Sequence, residues 1–472
     1  MRPRRTSPSM SRRPLPCTMG RRPFCPLSRL SLRAMLRWFM GLPSRHNRIF
    51  YGWYIVAASF VILFFNGGAR YAFGVMLKPI VAEFGWSRGM VSGVFSLNMM
   101  IFALGMTLVG KVYDRYGPKW VIIVSTLFIS AGFVLTAFMN SLGQFLFSYG
   151  VLAALGVAGT AIPLLATLTS KWFDEWRGLA ISLSMSGSSI GQFVLVPVLS
   201  FLAVAYSWRI AYLYIGLAML VVNVSLALLV IRGDPHHLGL KPYGRKESDR
   251  AGEARAGSPG KPCGADSQDF TLKRAMATRS YWLFLVAMFI CGGGDFFAVT
   301  HLIAMATDHG IAAITAGNML AWYGAMSLVG ILIAAPSADR IGNKTPMAVT
   351  FIIRVFLYLL LFRYKTVGAF YVFAFGFGFT HLITAPLIPM LIIKIFGSSH
   401  LGLLTGFANT VHYVGAATWP LLAGMLFDRT GNYQLTLIFS AIAAAIAVLC
   451  SLFIAETRHY PGGRPSRRQE TV

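Results

Sequence analysis

The sequence predicts an all-α polytopic membrane protein with twelve transmembrane helices in two parallel six-helix repeats. Of its 472 residues, 56% are hydrophobic and only 12% are charged, whereas soluble domains carry about a quarter charged residues. The apolar residues come in long uninterrupted runs, and a helix satisfies its own backbone hydrogen bonds inside a bilayer. Glycine, proline and charged residues also recur at a nearly fixed offset in the two halves of the chain. An ordinary soluble globule is nearly excluded.

Each predicted span is an apolar stretch of about 17–25 residues, the length that crosses the hydrocarbon core as a helix. The ninth is the weakest of them, because Arg354 stands in its middle. In chain order, spans 1 to 12 cover Tyr51–Val75, Met90–Val109, Trp120–Met139, Phe145–Leu168, Ala180–Ala203, Ile210–Ile231, Tyr281–Ala306, Ala313–Ala335, Met347–Phe362, Val367–Ile393, Leu401–Leu426 and Leu435–Phe453.

The Lys and Arg residues indicate the orientation of the spans, because cytoplasmic segments carry an excess of them. Residues 1–48 hold twelve Arg and no acidic residue. With these residues inside, most basic loops also lie inside, so both termini are expected to be cytoplasmic, at a bacterial plasma membrane. The net charge of +26 then reflects topology and contact with anionic lipid headgroups of the bilayer. No nucleic-acid partner is expected, because no compact basic domain accompanies the charge.

The composition divides the chain into five segments. Residues 1–48 form an Arg-rich cytoplasmic tail that is expected to be disordered or to result from a misassigned start. Residues 49–232 and 278–456 are predicted to form the two six-helix bundles. A cytoplasmic linker at 233–277 is rich in Gly, Pro and charged residues and is expected to be flexible. Residues 457–472 form a second cytoplasmic tail.

Two offsets relate the halves of the chain. Shared apolar residues would be weak evidence for a repeat, because both halves are apolar. Gly, Pro and charged residues that recur at a fixed offset are hard to obtain by chance. Six is an even number, so both copies enter the membrane in the same orientation, and such parallel repeats can hold a substrate site at their interface. The pairs are Gly67/Gly292, Gly68/Gly293, Gly105/Gly330, Asp114/Asp339, Arg115/Arg340, Gly117/Gly342 and Lys119/Lys344 at an offset of 225, and Pro163/Pro386, Lys171/Lys394, Phe173/Phe396 and Pro197/Pro420 at an offset of 223.

The segment GKVYDRYGPK at Gly110–Lys119 resembles the loop motif of the major facilitator superfamily, and PSADRIGNK at Pro336–Lys344 is similar to its copy in the second half. A narrower resemblance to the monocarboxylate and oxalate/formate porter branch rests on four further segments. These resemblances imply the major facilitator fold and transport of a small organic solute. The four segments are YGW at Tyr51–Trp53, RYAFGV at Arg70–Val75, EFGWSR at Glu83–Arg88 and KWFDEWRGLA at Lys171–Ala180.

The usual anion-binding residues of that branch do not carry over to this chain. The resemblance implies a basic residue in span 8 or span 11, or a lysine late in span 1. Here span 8 reads AGNMLAWYGAMSLVG without Arg or Lys, span 11 offers His412, and Val75 follows YAFG. A monocarboxylate substrate therefore rests on analogy.

The loop motif and its copy are predicted to be cytoplasmic gates. Asp114 ends span 2, where it can face a helix N-terminus and nearby arginines, and such contacts would hold the two bundles closed. The alternative is topogenic charge, which explains Lys and Arg but not a repeated Asp-Arg-x-Gly. The motif residues are Gly110, Asp114, Arg115, Gly117 and Lys119, with Asp339, Arg340, Gly342 and Lys344 in the copy.

Ionisable residues inside spans are costly and are therefore functional candidates. Arg70 in span 1 and Asp295 in span 7 are related by the offset of 225, so we expect them to face each other between the repeats. We hypothesise that they pair when the outer gate is shut, and that a substrate anion, or a proton on Asp295, breaks the pair. The alternative is that both side chains snorkel to the outer surface.

Further polar residues within spans are candidates to carry the proton or to line the substrate path, with a structural hydrogen bond as the alternative for each. Arg354 is interpreted as structural. Because the sequence has no phosphate-binding loop, zinc-type His/Cys spacing or nucleophile motif, no metal, cofactor or enzymatic activity is expected. The candidates are His301, His381 and His412 for the proton and Asn66, Tyr149, Asn318 and Tyr323 for the path.

These features predict a monomeric secondary active transporter that moves a small organic solute by alternating access, coupled to protons. A monocarboxylate or related organic anion is the leading substrate class. One alternative is an exporter of amphipathic organic compounds, which the aromatic content of 14% favours. The other is a membrane receptor that has kept the fold without transporting.

Overall fold

The computed structural model describes residues 50–244, 276–396 and 401–455. The Arg-rich tail, most of the predicted linker and the second tail lie outside the described residues, as do the side chains of Asp339 and Arg340. The described part is built from helices, with no sheet and one isolated backbone bridge between Phe173 and Tyr243. The expected all-α polytopic fold is confirmed.

The helices follow the predicted spans. Spans 1, 4 and 10 each consist of more than one helix, and the others are single helices of 19 to 30 residues. The bounds are Tyr51–Tyr71 and Phe73–Phe84 for span 1, Arg88–Tyr116 for span 2, Pro118–Ala137 for span 3, Leu142–Phe145, the π-helix Leu146–Ala153, Ala154–Gly159 and Ile162–Trp172 for span 4, Arg177–Ala205 for span 5, Trp208–Leu229 for span 6, Arg279–Asp308 for span 7, Ala313–Ile341 for span 8, Lys344–Arg363 for span 9, Val367–His381 and Thr384–Phe396 for span 10, Leu401–Thr430 for span 11 and Gln434–Leu452 for span 12, with a short 3-10 helix Pro235–Leu238 after span 6.

Eleven helical segments of the described chain are long and apolar enough to cross a membrane. The remaining predicted span, span 11, is a helix of 30 residues, which exceeds the roughly 20 residues needed to cross the hydrocarbon core. Its middle carries Asn409, His412 and Tyr413, which make it less apolar than the other spans.

Equivalent prolines lie where spans 4 and 10 are broken. The last helix of span 4 begins at Ile162, just before Pro163, and the last helix of span 10 begins at Thr384, two residues before Pro386. Proline lacks a backbone N–H, so it costs no hydrogen bond in the first turn of a helix, whereas in the interior it removes one. The break in span 10 places His381 at the end of a helix.

The glycine of each Asp-Arg-x-Gly motif makes a left-handed turn between two spans. Gly117 has a φ of 80° and Gly342 has a φ of 79°. Side chains with a Cβ rarely adopt this conformation, whereas glycine does so without steric cost. The recurrence of this glycine is thus explained by the same turn at the same place in both repeats.

Close helix packing also repeats in the two halves. A Cβ on Gly67 would collide with the backbone of Ser188 in span 5, and a Cβ on Gly292 would collide with the backbone of His412 in span 11. Small residues let membrane helices approach closely. Spans 1 and 5 therefore pack as spans 7 and 11 do.

The N-terminal half is residues 50–232 and the C-terminal half is residues 278–455. The terminal end of the bundle is the one where span 1 begins and span 12 ends, and the far end is the opposite one. Large apolar side chains such as Leu104, Val221 and Phe356 are exposed on the surface of the helices, as expected for faces in contact with lipid.

Candidate substrate and coupling site

Arg70 lies at the middle of the bundle, in a cage of aromatic rings. Its guanidinium carbon is 4.5 Å from the ring centroid of Phe102, 4.8 Å from that of Phe296 and 5.3 Å from that of Tyr413. Phe102 belongs to the N-terminal half, whereas Phe296 and Tyr413 belong to the C-terminal half. Cations are attracted to aromatic faces at these distances, so the two halves together surround the positive charge.

The hydrogen-bonding capacity of Arg70 is largely unused. Its Nη2 is 3.6 Å from Met99 Sδ, a weak acceptor, and its buried Nε has no hydrogen-bond partner among the residues that the structure describes. Within the described residues, no carboxylate forms an ion pair with Arg70. Because buried donors are normally satisfied, this guanidinium has the charge and the free donors to bind an anion.

The expected pair between Arg70 and Asp295 is not formed, and that expectation is wrong for this structure. Asp295 Oδ1 lies 2.6 Å from Nη2 of Arg354, and both side chains are 2% exposed. The carboxylate thus faces span 9 of its own half, while Arg70 faces the aromatic cage. The structural role expected of Arg354 includes being the partner of Asp295.

Arg354 is also bound to the backbone and side chains around it. Its Nε donates to Thr380 Oγ1 at 3.2 Å, its Nη2 donates to Thr380 O at 3.0 Å, and its Nη1 donates to Cys291 O at 3.4 Å. The Phe377 ring lies 4.7 Å from its guanidinium carbon. These contacts fix the cation and hence the position of the Asp295 carboxylate.

His381 connects this ion pair to the N-terminal half. Its Nδ1 is 3.2 Å from Asp295 Oδ1 and 2.8 Å from Tyr323 Oη, and its Nε2 is 3.1 Å from Tyr71 Oη. Tyr71 is the residue after Arg70 in span 1. A single imidazole therefore contacts the buried carboxylate on one side and the span that carries Arg70 on the other.

His412 and Cys291 lie on another side of Asp295. One ligand atom from each of these three residues lies within 4.8 Å of the others, which is the composition of a metal site. The Asp295 carboxylate, however, already pairs with the Arg354 guanidinium at 2.6 Å, and that cation disfavours a second one. The residues present fit an ion pair better than a bound metal.

A group of charged residues joins the two halves at the far end. Arg88 donates to Asp308 Oδ2 at 2.6 Å and to Oδ1 at 2.7 Å, and Lys78 Nζ is 2.8 Å from Oδ1. Asp428 accepts from the backbone N–H groups of Arg88 at 2.9 Å and of Gly89 at 2.7 Å. Lys78 and Arg88 belong to the N-terminal half and both carboxylates to the C-terminal half, so these contacts close the far end.

His301 belongs to this closed end and not to the central site. Its Nδ1 is 2.9 Å from Tyr433 Oη, and its Nε2 is 3.0 Å from Pro420 O and 3.4 Å from Ser92 Oγ. Tyr433 Oη also accepts from Arg88 at 2.9 Å. The structure thus places His301 among structural contacts of the far end.

The other candidate path residues are distributed over both halves. Asn66 donates to Thr160 Oγ1 at 2.7 Å within the N-terminal half. Tyr149 is buried there, with its ring 5.2 Å from that of Phe73. Asn318 is half-buried on span 8. Of the four, only Tyr323 contacts His381.

The loop motif lies at the terminal end, where Asp114 and Arg115 are exposed. Within the described residues Asp114 forms no ion pair, and the guanidinium of Arg115 lies over the neighbouring Tyr116 ring. The gate contact expected of Asp114 is thus not made in this structure. Its role when the terminal end closes stays a prediction, as does that of Gly110, Lys119 and Lys344.

The sequence matches the family model of the Major Facilitator Superfamily over residues 59–303 and 283–472. Monocarboxylate transporter 12 of Mus musculus is 25% identical, covering 86% of this chain and 85% of its own. The uncharacterized MFS-type transporter YcxA of Bacillus subtilis is 22% identical, covering 84% of this chain and 94% of its own.

Solved structures show the same fold. A bacterial homologue of the human lysosomal transporter Spinster, inward-facing and unoccupied, has a TM-score of 0.65 at 16% identity, covering 88% of this chain and 100% of its own. The nucleoside transporter NupG has a TM-score of 0.67 at 11% identity, covering 86% of this chain and 99% of its own. The chain therefore belongs to the Major Facilitator Superfamily of transporters, in which it resembles the monocarboxylate branch.

Proposed function

We propose that this transporter moves a small organic anion by alternating access, with Arg70 binding the anion and with protons as the coupling ion. The observation that carries the proposal is the unpaired guanidinium of Arg70 between the two halves. A carboxylate accepts two charge-assisted hydrogen bonds from a guanidinium. A carboxylate is therefore the group that satisfies both the charge and the free donors.

The charges of the centre favour a monoanion. Asp295 and Arg354 neutralise each other at 2.6 Å, which leaves the charge of Arg70 to be balanced by the solute. The Phe102, Phe296 and Tyr413 rings around that charge offer apolar contact to the remainder of the bound solute. Several relatives are monocarboxylate transporters of mammals, which supports the same class of solute.

The arrangement of contacts supports alternating access. Arg88, Asp308 and Asp428 close the far end, while Asp114 at the terminal end is exposed. The distribution of Lys and Arg supports cytoplasmic termini. In that orientation the far end faces outward, and this conformation is the one that opens inward. The plasma membrane is the proposed location.

A second candidate, an exporter of amphipathic organic compounds, is favoured by the same aromatic cage. Its rings accept an apolar body of any charge, whereas the free guanidinium selects an anion. The non-transporting receptor differs from both in binding its ligand without moving it.

The test is uptake by the purified full chain in proteoliposomes. Formate, L-lactate and benzoate serve as monocarboxylate probes, and oxalate and succinate as dicarboxylate probes, each with and without an inward proton gradient. We expect uptake of at least one monocarboxylate, raised by the gradient and abolished by Arg70→Ala. The matched control is Arg363→Ala, which removes an exposed arginine at the end of span 9 and should leave uptake unchanged.

Three outcomes separate the candidates. Uptake that persists in the Arg70→Ala variant would show that the Arg70 guanidinium does not bind the solute. Efflux of a hydrophobic dye without uptake of any acid supports the exporter. Binding of an acid without counterflow supports the receptor.

A further inference from the structure

The geometry points to His381 as the residue that links proton binding to anion binding. This inference rests on the proposed function, because it takes Arg70 as the anion site. His381 ends the first helix of span 10, at the break before Pro386. It is 6% exposed and lies between the Asp295–Arg354 ion pair and Tyr71 of span 1.

The ionisable groups around His381 determine what a proton does there. Asp295 Oδ1 lies 3.2 Å from Nδ1, and the Arg354 guanidinium lies on the other side of that carboxylate. The two tyrosine hydroxyls are neutral partners that either donate or accept. The spans packed around His381 contribute the following ionisable groups: Tyr71 of span 1, Cys291 and Asp295 of span 7, Tyr323 of span 8, Arg354 of span 9 and His412 of span 11.

A proton changes the contact between the halves at one atom. When the hydrogen of the neutral imidazole is on Nδ1, it points to Tyr323 Oη at 2.8 Å, with Asp295 Oδ1 at 3.2 Å, and the Nε2 lone pair accepts from Tyr71 O–H. A hydronium ion transfers a proton to that lone pair, its own O–H bond breaks and it leaves as water, so Nε2–H becomes a donor. Tyr71 must then accept, so its hydroxyl hydrogen turns away from His381. The hydrogen bond between the halves is therefore reversed by protonation.

The charge of the centre changes at the same time. The Asp295–Arg354 pair is neutral, so protonated His381 adds one positive charge beside the span that carries Arg70. An anion on Arg70 is attracted by that additional charge, so the proton strengthens anion binding and the anion strengthens proton binding. Such coupling is reciprocal. One proton and one monoanion then move together, so their transport carries no net charge.

The test uses His381→Gln, which keeps a side chain able to donate and accept but cannot be protonated. The probe is the monocarboxylate of the uptake panel with the highest wild-type rate. We expect counterflow at equal pH to remain measurable and gradient-driven accumulation to be lowered about tenfold. Wild-type affinity for the probe should rise about tenfold from pH 7.5 to pH 5.5, and the variant should show no such rise.

The matched control is His309→Gln. His309 follows span 7 at the far end, where its Nδ1 lies 2.8 Å from Met305 O of its own helix, and its replacement should leave coupling unchanged. A His381→Gln protein with wild-type accumulation or wild-type pH dependence of affinity overturns the role of His381. A wild-type protein that takes up none of the acids overturns the proposed function instead, and the role of His381 with it.

A measurement on the wild-type protein keeps the inference testable if the variant does not fold. The purified protein in weakly buffered detergent solution should take up about one proton for each probe anion bound. Anion binding without proton uptake would overturn the inference irrespective of any variant.

Discussion

Arg88 and Asp308 form two hydrogen bonds of 2.6 and 2.7 Å across the two halves at the far end. Lys78 contacts the same carboxylate from span 1 at 2.8 Å. The Arg88 side chain is 9% exposed and the Asp308 side chain 20%, so solvent screens this bridge less than it screens a surface ion pair. Asp308 therefore joins spans 1, 2 and 7 where the far end is closed.

Asp308→Ala is expected to open the far end. The substitution leaves the nearly buried Arg88 without its carboxylate, and hydrogen bonds to charged groups contribute about 1.5–3 kcal/mol. The population open at the far end should then rise about tenfold or more. The measurement is labelling of a cysteine introduced at Ser92, which is buried, by a membrane-impermeant thiol reagent in vesicles of known sidedness.

Glu83→Ala is the matched control for this experiment. Glu83 is a carboxylate at the same end, but it bonds to Trp208 at 2.5 Å and to Arg209 at 2.8 Å, both in its own half. Its removal breaks no contact between the halves and should not change labelling. If Asp308→Ala and Glu83→Ala label equally, the bridge to Arg88 does not close the far end.

Asp428→Ala is expected to open the far end to a smaller degree. Asp428 accepts from the first two backbone N–H groups of span 2, which have no partner inside their own helix. Loss of such a cap costs about 1 kcal/mol, so labelling at the Ser92 position should rise about fivefold. Asp428→Asn keeps one acceptor oxygen and should lie between wild type and Asp428→Ala. An alanine variant that labels no faster than wild type would contradict the capping role.

The sequence around Asp428 also bears on the terminal end. Residues 428–431 read Asp-Arg-Thr-Gly, the same pattern as at Asp114 and Asp339, and Gly431 again has a positive φ, of 68°. Here the aspartate caps a helix of the opposite half. This is the contact that the sequence predicts for Asp114, but at the opposite end of the bundle.

The fold could be predicted from the sequence because its determinants are local. Apolar length gives the spans, and the residues that recur at fixed offsets are those with a backbone role, such as Gly117 and Gly342 in equal turns or Pro163 and Pro386 at equal breaks. The role of such a residue follows from its own backbone conformation, and the residue type determines which conformations are open to it.

The partners in the central site could be predicted only in part. The offset that relates Arg70 to Asp295 gives equivalent heights in the membrane, but not the direction in which each side chain points. Asp295 is turned toward Arg354 and His381, and Arg70 toward aromatic rings. The pair of Asp295 with Arg354 could have been inferred from the sequence, because these residues carry opposite charges within spans of the same half.

Gly67→Ala and Gly292→Ala are each expected to destabilise the protein. The added Cβ would meet backbone atoms of Ser188 or His412, which cannot yield as a flexible side chain does, and overpacking of this kind costs about 1–3 kcal/mol. Thermal unfolding in detergent should show a lower midpoint for both variants. The control is Gly110→Ala, because a Cβ there meets no atom of the described residues within 4 Å. Equal midpoints for the three variants would contradict close packing at these sites.

Asp295→Asn is expected to destabilise the protein strongly, and Arg354→Leu should restore much of the loss. The single substitution leaves the buried guanidinium uncompensated, which costs about 3–5 kcal/mol, whereas replacing both members of a buried pair is often neutral. Thermal unfolding should thus place the double variant above Asp295→Asn. The control pair is Asp295→Asn with Arg70→Leu, whose effects should add, because residues without direct contact behave independently. Rescue by Arg70→Leu instead would show that Asp295 pairs with Arg70 and not with Arg354, because only the true partner of a buried charge relieves its loss.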